Sequence, residues 1–424
     1  MRAVRDHGGV VFADIEVDGQ RTQLLLDASV CAARDFARLV DTGDLISVLG
    51  AAGRSRNGSA AVHVQDWTML AKSLHAIPFG GFTDPQARVR QRSLDMIVNP
   101  EATRALRDRT AVVRALRARL DATGFTEVET PILQAVHGGA SARPFRTHIN
   151  VYHADLSLRI APELYLKRLV VGGFGPVYEL GRNFRNEGAD ATHNPEFTSL
   201  EAYQPMADYT DMRVLTQALV CDAARAVHGG LTIPNAKDGP LDLAGDWAVV
   251  SVLDAVSTAL GEQVSLDTDT DALLAHAKRL GIVIRPGMGP GGIIEALYGE
   301  LVEPVTIAPT FYVDFPAETS PLTRPHRSIR GLVERWDLVV AGMELATAYS
   351  ELTDPVEQRR RLTAQSLRAA HGDPEAMEVD EAFLGALELG MPPCGGMGMG
   401  VDRLAMLLSG TSIRGVLTFP FVKP

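Results

Sequence analysis

RNFRNEGADATHNPEFTSLEAY, Arg182 to Tyr203, crowds charged and polar residues between two β-type runs, Val177–Leu180 and Phe197–Tyr203. A hairpin whose loop carries an arginine, a glutamate, a histidine and a phenylalanine costs stability unless the loop holds a ligand. A nucleotide suits it. Arg185 can make charge-assisted contacts to a phosphate and a carboxylate, Glu187 can accept from an adenine amino group, and Phe197 can stack on the base. Read one at a time, these residues equally suit a solvated charged loop, so the flanking sequence has to decide.

Towards the N-terminus, Thr103 to Ala122 sets Leu106, Val113, Leu116 and Leu120 on one helical face and stops at Gly124. A strand is expected at Phe125–Val128, then a break at Pro131 and a turn at His137-Gly138-Gly139-Ala140. Towards the C-terminus, residues 212–300 look largely helical, and Val305–Phe315 and Leu338–Val340 return to strand character. In WDLVVAGMELATAYSELTD, Trp336 to Asp354, the carboxylates Asp337, Glu344 and Glu351 recur every seven residues. Either a strand-turn-strand or a helix could gather them, and two could hold Mg²⁺ between phosphate oxygens; a half-solvated acidic face has the same spacing. PPCGGMGMGVDRLAMLL, Pro392 to Leu408, reads as a glycine-rich turn opening an apolar helix near Val401, with Arg403 able to reach a phosphate. No Gly-Lys-Ser/Thr follows, so it is not a Walker A loop.

Further out, Gly9 to Leu74 alternates short β-type runs with turn residues, including Asp18-Gly19, and suggests a small β-barrel. The expected organisation is a barrel over residues 1–74, a linker over 75–98, and an α+β domain over 99–424 with a helical insertion at about 212–300. No run approaches the ~18 apolar residues of a membrane span, and Met1 to Val10 lacks a secretory signal. A soluble, cytoplasmic protein is the expectation. Cys31, Cys221 and Cys394 are too far apart for a disulfide framework or zinc spacing. A net charge of −11 excludes a protein that coats nucleic acid indiscriminately, though not one with a specific RNA partner.

Taken in order, GFTEVETPIL (Gly124–Leu133), FRNEG with HNPEFTSLEAY, and GMGMGVDRL resemble motifs 1, 2 and 3 of class II aminoacyl-tRNA synthetases. RIAPELYLKRL (Arg159–Leu169) and HGGASARPF (His137–Phe145) narrow the likeness to the lysyl family. Within it, the sequence is most similar to the synthetase half of actinobacterial fusions of a lysyl-phosphatidylglycerol synthase with a lysyl-tRNA synthetase, whose membrane-embedded half has no counterpart here. The resemblance implies an antiparallel-sheet catalytic domain behind an OB fold, and a homodimer through the motif 1 helix and Pro131. The OB region begins almost at its first expected strand, which leaves that strand in question.

By the same resemblance, Arg185 bridges the lysine carboxylate and the ATP α-phosphate. Glu187, His193 and Phe197 hold the nucleotide, Arg403 meets the γ-phosphate end, and Asp337 and Glu344 bind Mg²⁺. Gly139 and Glu163 meet the lysine α-amino group, Glu201, Tyr203 and Glu351 the ε-ammonium, with Thr347 and Tyr349 beside the bound amino acid. Phe12 and Gln23 fall where the family contacts anticodon bases. The implied activity is a lysine–tRNA ligase that activates L-lysine with ATP and charges tRNA(Lys). The alternatives are an adenylate-forming lysyl ligase with a protein or small-molecule acceptor, and a non-catalytic sensing paralogue.

Overall fold

The computed structural model describes residues 1–423 apart from Asp18, 235–238, Pro286 and 371–375. Asp18 of the expected Asp18-Gly19 turn therefore lies outside the described residues. The chain divides into two compact units, Met1–Arg104 and Ala105–Pro424.

In the first unit five strands are hydrogen-bonded in the order Ala3–Asp6, Val10–Val17, Gln20–Asp27, Ala60–Ala71, Leu45–Arg54. The strand in question exists: Ala3–Asp6 pairs antiparallel with Val10–Val17. Period-two alternation turns Val11, Ala13, Leu24 and Leu26 inward, where Phe36 of the helix Ala33–Leu39 joins them. Phe12 falls on the opposite, half-buried face, its ring edge-on to His7 at 5.4 Å. Asp14 pairs with Gln23 and Phe12 with Leu25, so Phe12 and Gln23 are diagonal neighbours on that face. Residues 75–98 are more than the expected linker. They carry the helices Pro85–Arg90 and Arg92–Val98, tied by Asp95, which is fully buried and bonded to Arg88 (2.6 Å) and Arg92 (2.8 Å).

The second unit is α+β. Its eight-stranded sheet runs Ala248–Ser251, Thr310–Pro316, Leu332–Val340, Met343–Ser350, Cys394–Gly400, Glu196–Pro205, Val177–Phe184, Thr126–Glu127. The pairs are antiparallel except the first and last. A layer of helices covers one face of the sheet. Val112, Leu116 and Leu120 of the helix Pro100–Ala122 and Leu219, Val220 and Ala223 of the helix Tyr209–His228 share a core with Leu200, Leu338 and Met397 from the strands. The helix at Tyr209 begins with a capping box in which Asp208 and Asp211 each accept from the other's end of the first turn.

Two expectations are corrected here. Residues 212–300 are not one helical insertion: Tyr209–His228 packs on the main sheet and Ala248–Ser251 is its edge strand. Only the helices Val252–Leu260, Thr270–Arg279 and Pro290–Leu301 form a separate cluster, around Val256, Leu273, Ile294 and Leu297. The glycine-rich run before Val401 is not a turn but a strand, Cys394–Gly400, inside the sheet. No helix among the described residues is long and apolar enough to cross a membrane.

Candidate active site

The strand Cys394–Gly400 lies between Glu196–Pro205 and Met343–Ser350, and two cross-strand rows fix the chemistry above it. Gly398 is flanked by Glu201 on one side and Thr347 on the other; Gly396 is flanked by Tyr203 and Tyr349. At Gly396 glycine is required because neighbouring side chains occupy the space, whereas a Cβ at Gly398 would meet only Glu201 Cγ, at 3.8 Å. A Cβ on Gly396 would lie 1.9 Å from Glu351 Oε1 and 2.6 Å from the Tyr203 ring. Of the two glycines only Gly398 lines the floor of the cavity above; Gly396 lies under Glu351 and Tyr203.

That cavity, about 390 Å³, gathers Gly139, Glu163, Arg185, Glu187, His193, Phe197, Glu201, Tyr203, Glu344, Thr347, Tyr349 and Arg403. Its two ends differ in charge. At one end Glu163 accepts from Tyr349 Oη (3.2 Å) and Glu201 from Tyr203 Oη (3.1 Å). Burial, reinforced by the nearby Glu163, pushes the Glu201 carboxyl up to about 8. Gly139 adopts φ +87°, and a Cβ there would sit 2.9 Å from that of Glu163, so the loop approaches the carboxylate only as glycine.

Arg185 stands between the ends, its guanidinium 5.0 Å from the Phe197 ring centroid. Its Nε is buried with no hydrogen-bond partner among the described residues, and burial lowers its pKa against the pull of Glu187. A buried guanidinium in this state calls for an anion. At the far end Arg403, on the first turn of the helix Val401–Ser409, donates to the Glu344 carbonyl (2.8 Å) and approaches His193 Nε2 (3.0 Å). His193 is in turn held by Asp190 at 2.9 Å.

The carboxylates spaced by seven do not act alike. In an unbroken strand Glu344 and Thr347 would face opposite ways, but the register shifts between Leu338 and Val339, and Glu344 lines the cavity together with Thr347. Asp337, opposite Thr347, is buried and bonded to Arg335 (2.8 Å); burial pushes its carboxyl up to about 6 against the pull of Arg335. Glu351 is absent from the lining. It lies fully buried behind the tyrosines, ion-paired with Lys167, and faces a second, smaller cavity instead.

A hard divalent cation takes oxygen donors: Glu344 lines the cavity and could offer one, whereas Asp337 is buried outside the lining and shares its carboxylate with Arg335. No group of three His, Cys, Asp or Glu side chains among the described residues is arranged to hold a metal. Phosphate oxygens and water would have to complete its shell.

Several residues of this centre were missed from sequence. Asp402, buried, accepts from the Thr198 backbone (2.8 Å) and from Arg109 (2.6 Å), fastening the C-terminal helix, the hairpin and the long helix to each other. Arg335 lines the cavity, and Lys167 lies beneath it. The signals were present: Lys167 follows Glu163 by one helical turn, and Arg335 shares a strand face with Asp337.

Residues 84–423 match the family described as tRNA synthetases class II (D, K and N), and the chain belongs to that family. Three relatives bear the name lysylphosphatidylglycerol biosynthesis bifunctional protein LysX. The chain is 56% identical to the one from Nocardia farcinica over 430 residues, which is 99% of this chain and 38% of that protein. It is 56% identical to that of Mycobacterium avium over 431 residues (99% and 36%) and 53% identical to that of Gordonia bronchialis over 429 (99% and 38%). The chain thus spans under two fifths of these proteins. Their names overturn the expectation of a lysine–tRNA ligase of protein biosynthesis, because they place such a sequence in the making of a lipid.

Proposed function

We propose that this chain is an adenylate-forming lysyl ligase, which activates L-lysine with ATP and whose lysyl group ends on a lipid acceptor. The observation that carries this reading is the graded cavity. Glu163 and Glu201 offer carboxylates to two ammonium groups at one end, and Arg185, whose buried Nε has no hydrogen-bond partner among the described residues, stands between them and Arg403. In this reading Arg185 orients the lysine carboxylate against the α-phosphate, Phe197 with Glu187 and His193 holds the nucleotide, and Arg403 takes the distal phosphates. A carboxylate oxygen of lysine attacks the α-phosphorus, the bond to the β-phosphate oxygen breaks, and pyrophosphate leaves. A hydroxyl of the acceptor then attacks the acyl carbon and AMP departs. No protein nucleophile is needed; positioning and the guanidinium field carry the step. Glu344 would hold Mg²⁺, which when bound neutralises phosphate oxygens.

The names of the relatives support the lipid acceptor, and the first unit's strand order with its helix before the fourth strand supports an OB fold. A homodimer belongs to the same reading. Beside Pro131 the side chains of Ile132 and Leu133 are exposed, and Val151 and Tyr152 are exposed on the turn at the other end of the strand Ala154–Leu158; these are the apolar groups that a second copy would cover.

The test is ATP–pyrophosphate exchange with each amino acid, followed by radiolabelled lysine offered with phosphatidylglycerol vesicles, protein and RNA. Exchange with lysine alone and label extractable with the lipid is the expected result. No exchange with any amino acid ends the ligase reading; label confined to RNA or protein ends the lipid acceptor.

A further inference from the structure

Beneath the lysine end of the cavity lies a layer of charge that the proposed reaction does not use. Lys167, on the helix Glu163–Val171, is fully buried. Its ammonium bonds Glu163 Oε1 at 2.6 Å and forms an ion pair with Glu351, which is also fully buried. The rings of Tyr203, Tyr349 and Phe383 surround it at about 6 Å, with centroid distances of 6.0, 5.9 and 6.0 Å. Burial alone would drive Lys167 to release its proton, but the carboxylates of Glu163 and Glu351 override it and push the pKa up. Glu351 Oε1 keeps no hydrogen-bond partner among the described residues.

The charges in this volume can be matched one against another. Glu179 on the neighbouring strand is satisfied by Arg159, and Asp337 by Arg335. At the lysine end itself, Glu163, Glu201 and Glu351 stand against Lys167 and against Arg185, which also faces Glu187 and Glu344 towards the nucleotide end. With all three carboxylates ionised, one negative charge at this end is unmatched; in the empty pocket a proton on Glu201 offsets it, and a lysine zwitterion brings the one positive charge in excess that can replace that proton. A neutral amino acid would leave that carboxylate uncompensated, or protonated, in a buried site.

We propose, resting on the lysine-activating reading above, that Lys167 is a specificity-determining positioning residue. Wedged between Glu163 and Glu351, its ammonium cancels one carboxylate and leaves the pocket short of the single charge that a lysine side chain supplies. Lys167 touches no substrate; it acts through the two glutamates. Without it, the pocket carries a second unmatched negative charge, which one lysine cannot balance.

The test uses the full chain and pyrophosphate exchange, with KM measured separately for lysine and ATP. Lys167→Met removes the ammonium and keeps the apolar stem, and should raise the lysine KM roughly 100-fold, as expected when one partner of a buried pair is lost. The ATP KM should move less than about threefold, because the nucleotide end is untouched. The decisive variant is Lys167→Met/Glu351→Gln, which removes one charge of each sign and should bring the lysine KM back to within about tenfold of wild type. A residue that merely fills space would not be rescued by a change of charge elsewhere. The proposal is overturned if Lys167→Met leaves the lysine KM unchanged, if ATP and lysine KM rise together, or if the double variant is as impaired as the single one. A double variant that does not fold also overturns it, since charge cancellation would then not be what Lys167 provides. Wild-type protein that exchanges no pyrophosphate with lysine marks the failure of the underlying reading and takes this inference with it; active wild type with an indifferent Lys167 marks the failure of the inference alone.

Discussion

Glu201 has its carboxyl pushed up to about 8 by burial and by Glu163, so in the empty pocket it holds a proton at neutral pH. An arriving ammonium needs the ionised form. Lysine binding must therefore expel that proton, which becomes easier as pH rises. The KM for lysine should fall by up to tenfold per pH unit between about 6 and 8 and level off above the carboxyl's pKa. Glu201→Gln should raise that KM and flatten its pH dependence; a lysine KM that rises with pH over the same interval would refute this role for Glu201. Single residues were also the most legible scale in the sequence. Arg185, Glu187, Phe197 and Arg403 were picked out because their types suit phosphate and base, and all four line the cavity. Lys167 was not, because a lysine inside an apolar helix reads as a surface residue until the carboxylates above it are known.

At the scale of elements, the sequence revealed which segments are strands and helices better than how they are aimed. The interval of seven between Asp337, Glu344 and Glu351 left helix and hairpin equally open, and period alone could not reveal the register shift that brings Glu344 to the cavity. The run Cys394–Gly400 looked like a turn because glycine dominates turns. It is a central strand hydrogen-bonded on both sides, and at Gly396 Tyr203 and Glu351 fill the space that the missing side chain leaves. Elements are then locked to one another by Asp402, which bonds the hairpin backbone and Arg109 from a third element. Asp402→Ala leaves a mostly buried guanidinium unpaired and should destabilise the protein by about 3 kcal/mol. Urea denaturation would read this as a lower midpoint with an unchanged slope; an unaltered midpoint would show that the link carries no stability.

Over the whole molecule, two units were legible because the β-type runs stop near Leu74 and helical periodicity begins near Thr103. The helices inside residues 75–98 were not, since Pro78, Gly80, Gly81 and Pro85 give that segment the composition of a loop. Assembly belongs to this scale. If the exposed Ile132, Leu133, Val151 and Tyr152 are covered by a second copy, light scattering should give twice the chain mass of 45.6 kDa. Val151→Asp/Tyr152→Asp should then yield monomers, because two charges in an apolar contact oppose its burial; a wild-type monomer would remove the dimer from the reading.

The glycines at 396 and 398 carry a consequence for how such a pocket can change. Point mutation can only add atoms at a glycine, never trim it: at Gly396 any addition collides with Glu351 and Tyr203, and at Gly398, on the cavity floor, an addition can only shrink the space above. A descendant of this protein that came to accept a larger or differently charged amino acid would have to remodel its walls, on the strands to either side and in the charge layer below. The floor itself would pass unchanged from one specificity to the next.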